Sequence, residues 1–394
     1  MAIIKKILAK RQEQFFNFVR EPRNVRRILL IKNGLIGDMV ACTAVLSRLA
    51  ETYPKVKIDI IAGPSSVPLL QGIPAVNRVF PFRYNFSLLS TLRQIAFFMR
   101  LRKYRYDLIL VQETNPHFTL MAKLTGSRFS VGFSGPLSWL LDYAAGINPG
   151  KMPEVQISTV KAWTKARQSE RLLIDCPETD KQAIAARLLS AGHESGRGFV
   201  ILHPGASKPD SDRQWSVEGF AELAANLYDQ LGLAVVFTGL AFDLPTIRTI
   251  RARLNVPSYS LASKLNLREL IALCSMADLV IAPDTGIIHI ATALRVPAVM
   301  LMGISDPADT GPYSPDGLAA VARVELPCSP CINLDIKPEQ WKTCTQIRPG
   351  NVCNCSRQNR SLQLPARCYN IKWLGRREKP DSNFGSLQIT NRFW

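Results

Sequence analysis

The 394-residue chain reads as an α/β protein built from two doubly wound, Rossmann-like domains. Three observations predict this. Apolar runs of strand length alternate with helix-patterned stretches. Loops containing glycine follow several of the strands directly. The alternation then restarts near residue 198, after a zone of mixed loop and helix signals. At roughly 150 residues per domain, the length also favours two domains.

The elements follow in order. Residues 1–25 are basic and partly amphipathic: Ile3, Ile4, Ile7, Phe15, Phe16, Phe18 and Val19 alternate with Lys5, Lys6, Lys10, Arg11 and Arg20. This pattern fits an interfacial helix, and equally a helix packed on the protein's own surface. Arg26–Lys32 is a strand, NGLIGD (Asn33–Asp38) a glycine loop, and the stretch from Met39 to Pro54 a helix. Lys55–Gly63 is the next strand, which completes the opening of a βαβ unit. Val76–Phe80 and Tyr106–Val111 are further strands, and Leu89–Arg102 and Asn115–Leu124 further helices. Gly146, Pro149, Gly150 and Pro153 mark a loop, Thr159–Leu173 a helix, and Thr179–Ala191 another. The second alternation runs through Gly198–Ser207, the helix from Trp215 to Gly232, strand Leu233–Gly239, helices Ile247–Leu254 and Leu267–Cys274, strand and loop Asp278–Gly286, helix Ile287–Ala293 and strand Val296–Gly303. From Gly311 the chain is loop-rich, and its last 25 or so residues read as a polar appendage or tail. The expected divisions are 1–25, 26–178, 179–350 and 351–394.

Composition narrows the function. The chain carries 49 Lys and Arg against 31 Asp and Glu, a formal charge of +18. That excess points to an anionic partner: nucleic acid, a membrane surface or a phosphorylated substrate. Recognition-helix, RRM and zinc-finger signatures are absent, which argues against nucleic acid. No apolar run approaches the ~20 residues of a membrane span, and the N-terminus lacks the pattern of a secretory signal. NGLIGD is not GxGxxG, the strand after it ends in Ile60, Ile61, Ala62 and Gly63 where an acid would be needed, and no GxxxxGK[ST] occurs. A nicotinamide dehydrogenase and a P-loop ATPase are both disfavoured.

Two loops carry phosphate-binding chemistry instead. In APDTGIIHIA, Asp284 and Thr285 stand at a strand–helix junction, Gly286 permits close approach, and the amides that open the helix can hold a phosphate. His289 lies at +4 from Thr285, on the same helix face. In HPGASKPDSDRQW, a strand end leads into a turn with Ser207, followed by Arg213, a candidate diphosphate grip. Either loop alone is also readable as ordinary capping and solvated charge.

The order and spacing of these pieces resemble glycosyltransferase family 9, the ADP-heptose:lipopolysaccharide heptosyltransferases, over about residues 26–350. The resemblance rests on RILLIKNGLIGDMVACTAVLSRLAETYP, on HPGAS with Arg213, Trp215 and Phe220, on ADLVIAPDTGIIHIATALRVPAVMLMG, and on CSPC followed by Cys344. It implies a GT-B architecture, with two domains facing across a cleft, and inverting, metal-independent transfer of heptose from ADP-heptose to the lipopolysaccharide inner core without a cofactor. It further implies Asp38 as general base, with Gly34 and Gly37 letting a sugar approach the backbone. Ser207, Arg213, Asp284, Thr285, Gly286 and His289 would hold the donor, and the strand end at Thr238 and Gly239 would border the adenosine. Relatives place an acid just beyond that strand for the ribose; here the nearest is Asp243. Lys32, Arg83, Arg100, Arg102 and Lys103 are candidate contacts for the acceptor, an anionic lipid A–inner core at the inner face of the cytoplasmic membrane. A family-9 enzyme using another nucleotide sugar, or glycosylating an autotransporter-type protein, is the alternative.

The remaining signal is the cysteine spacing C-x2-C-x12-C-x8-C-x-C-x12-C from Cys328 to Cys368. Cys328, Cys331, Cys344 and Cys355 are candidate ligands for a structural ion. The spacing is not a zinc-finger pattern, and the expectation is reduced thiols without a catalytic metal.

Overall fold

A computed structural model describes residues 2–85, 87–147, 150–165, 171–206, 213–303, 305–323, 369–373 and 387–391. The chain divides into two compact units, Met1–Asp175 and Cys176–Trp394.

Unit 1 is built on a parallel sheet. Its strands are β1 (Arg27–Lys32), β2 (Lys57–Ala62), β3 (Val76–Pro81), β4 (Leu108–Val111), β5 (Phe129–Phe133) and β6 (Tyr143–Ala145). The order across the sheet is β3-β2-β1-β4-β5-β6, with Leu30 opposite Ile60 on one side and Leu110 on the other. β1 is buried from Ile28 to Lys32, as a strand covered on both faces must be, and this explains its unbroken apolar run. One face is covered by α3 (Leu88–Arg100) and α4 (Pro116–Leu124), whose Phe98, Phe118 and Met121 pack with Leu29, Ile31 and Ile109. Also in this unit, α2 (Ile36–Thr52) packs on α5 (Met152–Lys161).

The first helix, α1 (Ala2–Val19), is part of this unit's core at its C-terminal end. Phe15 is fully buried, stacked on Tyr143 at 5.9 Å and edge-on to Trp163 at 5.7 Å. Arg11 pairs with the buried Asp142 at 2.8 Å, and Val19 accepts a hydrogen bond from the Tyr53 hydroxyl. Of the two readings of the basic segment, packing on the protein's own surface is the one realised over residues 15–19.

Unit 2 repeats the plan. It opens with α6 (Glu178–Ser190). Its strands are β7 (Phe199–Leu202), β8 (Ala234–Phe237), β9 (Ser258–Ser260), β10 (Leu279–Pro283), β11 (Ala298–Leu301) and β12 (Ala319–Ala322). They are ordered β12-β11-β10-β7-β8-β9, all parallel. Counted from the first strand of each unit, both sheets read 3-2-1-4-5-6, the dinucleotide-fold order. α7 (Val217–Leu231), α8 (Leu244–Arg251), α9 (Leu267–Met276) and α10 (Gly286–Ala293) are its other helices. Ser216 caps α7 by accepting the Gly219 N–H at 3.0 Å, and Gly232, at φ 68°, closes it.

Three expectations need correction. Of the helix predicted over Thr159–Leu173, the described residues beyond Lys161 are not helical; the helix here is Met152–Lys161. Pro153, read as a breaker, stands in its first turn, where a missing N–H costs nothing. The strands β5, β6, β9 and β12 were not anticipated, because they are short and three of them lack an apolar run. The last residues are not featureless: β13 (Tyr369–Trp373) pairs antiparallel with β14 (Leu387–Asn391). Among the described residues, no helix is long and apolar enough to cross a membrane.

Candidate functional site

In an open α/β sheet, ligands bind beyond the carboxyl ends of the strands where the strand order reverses. In unit 1 that point lies between β1 and β4, and it gathers a charged cluster. Lys32, the last residue of β1, is 6% exposed. Its ammonium stands 3.6 Å from Asp38 Oδ1 and 3.9 Å from Glu113 Oε1, and donates to the Gln112 carbonyl at 3.2 Å. Glu113 lies two residues beyond the end of β4 and accepts the Asn33 N–H at 2.6 Å. Burial raises its pKa above the ordinary carboxylate range, an effect that the neighbouring Lys32 opposes.

Asp38 lies in the first turn of α2. Its Oδ2 accepts the Leu35 N–H at 3.3 Å, so it caps the helix, while its carboxylate stays about one-third open to solvent. The capping role expected of an acid there and an accessible carboxylate coexist. Gly34 has a packing reason of its own: a Cβ there would meet Asp38 Cβ at 2.8 Å and Oδ2 at 2.9 Å. Gly37 lies within the first turn of α2. Lys32, a candidate acceptor contact, is buried and paired with both carboxylates. Arg83 follows β3 at the same sheet edge. Arg100, at the end of α3, leads by way of Arg102 and Lys103 into the start of β4, so these three lie toward the opposite edge and are not brought to Asp38.

In unit 2 the reversal lies between β7 and β10. His203, just after β7, accepts or donates across 3.0 Å between Nδ1 and the Thr238 hydroxyl. Burial drives its pKa down to about 4, so the ring is neutral at pH 7. Thr238 is 2% exposed; with its hydroxyl engaged by His203, it braces the wall of the edge. Asp243 is also buried. Its Oδ2 accepts the Leu240 N–H at 2.7 Å, its Oδ1 has no hydrogen-bond partner, and burial raises its pKa. It is wedged against Gly205 and Gly239, where a Cβ would strike its carboxyl group. A Cβ at Gly239 would lie 2.9 Å from Oδ2. Asp243 therefore shapes this edge from beneath.

After β10 the chain turns into α10. Asp284 is buried, and its Oδ2 accepts the Thr310 hydroxyl at 3.2 Å and pairs with Arg213 at 3.5 Å. These partners anchor Asp284 at the start of the turn. Trp215, two residues beyond Arg213, packs edge-on against Phe220 of α7 at 5.1 Å and fixes the loop's end. Thr285 is the N-cap of α10, but its side chain makes no capping bond; Oγ1 is buried without a hydrogen-bond partner. Gly286 opens the helix, and His289 is buried one turn on. A guanidinium, the amides that open α10 and an unsatisfied hydroxyl thus stand at one strand end, a combination suited to a phosphate.

Ser207 and the cysteines Cys328, Cys331, Cys344 and Cys355 lie outside the described residues. The described cysteines Cys42, Cys176 and Cys274 are free thiols. Burial pushes the Cys42 thiol up to about 12, which leaves it inert beneath the Lys32–Asp38 pair. Sequence reasoning missed Glu113 and His203 as site residues. Their signal was position: each lies within two residues of the end of a buried strand next to the reversal point.

The family model for glycosyltransferase family 9 (heptosyltransferase) matches residues 94–341. That span contains Arg213 and the Asp284–His289 segment, while Asp38 precedes it. Among curated relatives, the chain is 25% identical to the lipopolysaccharide core heptosyltransferase OpsX of Haemophilus influenzae over 310 residues, covering 75% of this chain and 84% of that protein. It is 26% identical to lipopolysaccharide heptosyltransferase 2 of Escherichia coli over 303 residues, covering 73% and 86%. Among solved structures, the ADP-heptose lipopolysaccharide heptosyltransferase II of E. coli superposes with a TM-score of 0.65 at 25% identity, over 81% of this chain and 98% of that one. The E. coli heptosyltransferase WaaC, solved with ADP, superposes with a TM-score of 0.60 at 18% identity, over 76% and 93%. Two dinucleotide-type sheets are the architecture of these GT-B neighbours, and with a family model matched over more than half its length, the chain belongs to glycosyltransferase family 9.

Proposed function

We propose that the protein is an inverting heptosyltransferase that moves heptose from ADP-heptose to the inner core of lipopolysaccharide without a metal ion. The observation that carries the donor half is the orphaned Thr285 hydroxyl beside Arg213 at the N-terminus of α10. A diphosphate satisfies that hydroxyl, receives the helix amides and is neutralised by the guanidinium. Relatives that carry the word heptosyltransferase in their names, and a neighbour solved with ADP, support the choice of donor.

Asp38 is the general base. As the acceptor hydroxyl oxygen attacks the anomeric carbon, its proton passes to the Asp38 carboxylate and the bond to the diphosphate oxygen breaks. Attack from the face opposite the leaving group inverts the centre. Arg213 and the α10 amides stabilise the charge gathering on ADP. Lys32 and Glu113 hold Asp38 in place from below. The acceptor is an anionic glycolipid, and the enzyme works peripherally at the cytoplasmic face of the membrane.

Calorimetric titration with ADP, UDP, GDP and CMP tests the donor assignment. ADP should bind best. A clear preference for UDP defeats the assignment of an ADP-sugar.

A further inference from the structure

We infer that the outward face of α3 is a membrane-docking surface that seats on an anionic lipid bilayer. The inference deepens the reading of a membrane-borne acceptor, and it rests on that reading for the identity of the partner. Four of the most exposed large apolar side chains among the described residues lie on this one helix: Leu88 at 79%, Leu89 at 69%, Leu92 at 56% and Met99 at 47%. Leu88, Leu92, Ala96 and Met99 recur at helical spacing, so they form one stripe. The stripe is not a misplaced core. The opposite face of α3 is already filled: Phe98 is fully buried against Phe82, and Gln94 bonds the Asn85 carbonyl and His117. A helix anchored in this way ordinarily shows polar groups to water.

Charge selects the occupant. Arg93 and Arg100 are exposed along the border of the stripe. From residue 60 to residue 106 the chain has seven cations (Arg78, Arg83, Arg93, Arg100, Arg102, Lys103 and Arg105) and no Asp or Glu. Leucines that bury shallowly, bordered by guanidiniums at phosphate depth, match the interface of an anionic leaflet. A two-fold contact between copies would set Arg93 and Arg100 near their own counterparts with no acid in the segment to pair them. α1, the other basic helix, commits Phe15, Phe18 and Val19 to the core. The start of α3 follows β3 at the strand edge that also carries Asp38. Docking on α3 therefore brings that edge to the lipid surface, and it gives Arg100 a lipid phosphate rather than the reacting sugar.

The test is co-sedimentation of the full chain with phosphatidylcholine vesicles containing about a third phosphatidylglycerol, and with phosphatidylcholine alone. Neither carries a sugar acceptor, and no nucleotide is added. Leu92→Ser/Met99→Ser should lower binding to the anionic vesicles about tenfold or more. Its unfolding transition should be unchanged, because both side chains face water. Leu92→Ile/Met99→Leu should restore binding, and Lys6→Gln/Lys10→Gln in α1 should leave it within about twofold. Unchanged binding in the α3 variant overturns the inference, as does a loss confined to the α1 variant. So does sedimentation equilibrium showing that the serine variant splits a dimer while still binding vesicles, which would make the face a self-contact. A failed ADP preference would defeat the assignment of the donor and leave the vesicle result standing.

Discussion

In unit 1 the reversal point between β1 and β4 holds one buried cation between two carboxylates, Asp38 and Glu113. In unit 2 the same place in the same strand order holds a neutral histidine, an arginine paired with Asp284 and the N-terminus of α10. One edge is rich in proton acceptors, and the other offers donors to an anion. The fold supplies the location twice, and the residues that follow the strands decide its chemistry. The proposed function divides proton removal and diphosphate binding between these two edges, and each half is separately breakable.

The largest effect is expected at the acid-rich edge. Asp38→Asn should lower transfer by roughly 10²–10⁴-fold, the contribution of a general base, and leave ADP affinity nearly unchanged. Single-turnover assays paired with calorimetry check both parts. Transfer within about threefold of the parent would remove Asp38 from the role, and a matching loss of ADP affinity would erase the division between the units.

Titration separates the two edges by sign. His203 is neutral in the folded chain down to about pH 4, whereas the unfolded chain protonates it near its ordinary value of 6.5. Stability should therefore fall as pH drops from 6.5 to 4, by up to about 3 kcal/mol. His203→Gln should flatten that loss. Glu113 works the other way. Its raised pKa means that the folded state takes up a proton before the unfolded state does, so its contribution to stability grows as pH falls toward 4.5. Denaturant melts of His203→Gln and Glu113→Gln at pH 7 and near pH 4.5 should shift the pH slope in opposite directions. Shifts of the same sign would contradict the burial assigned to one of the two groups.

Arg213→Ala should weaken ADP binding by about 1.5–3 kcal/mol, the range for a hydrogen bond to a charged group. Asp284→Asn should weaken it less, because the guanidinium remains and loses only its anchor. Equal affinities at low ionic strength would show that Arg213 serves the loop alone.

Legibility differed between the regions for physical reasons. Both reversal-point strands, β1 and β10, are buried throughout or nearly so and read as plain apolar runs. Edge strands such as Tyr143–Ala145 and Ser258–Ser260 are three residues long and half-buried, so pattern alone cannot find them. The loop residues Asp38, Arg213 and Asp284–His289 were visible because they follow strands in recognisable motifs. The partners that give them meaning were not: Glu113 reaches Lys32, Thr310 reaches Asp284 and His203 reaches Thr238 only in the folded chain. Asp243 shows the limit most sharply. It is the acid nearest the strand end where the family resemblance looks for one, and folding sets its carboxyl against two glycines and away from solvent, a setting the sequence does not show.

The smallest effect sharpens the comparison most, because its two parts have opposite sign. Thr285 holds a buried hydroxyl with no protein partner, at the cap of a helix that receives no side-chain cap. Thr285→Val keeps the shape and removes only the group that is unsatisfied. Without nucleotide, losing an orphaned polar atom should leave stability unchanged or raise it by up to about 1 kcal/mol. With ADP present, the same change deletes a hydrogen bond to a charged phosphate and should cost about 1–2 kcal/mol of affinity. An ordinary capping threonine behaves differently: its replacement destabilises the free protein by about 1 kcal/mol and has no particular consequence for ligand. Melting curves with and without saturating ADP distinguish the two. A variant that is less stable alone but binds ADP as the parent does would make Thr285 a helix cap, and would leave Arg213 and the backbone amides as the whole of the phosphate grip.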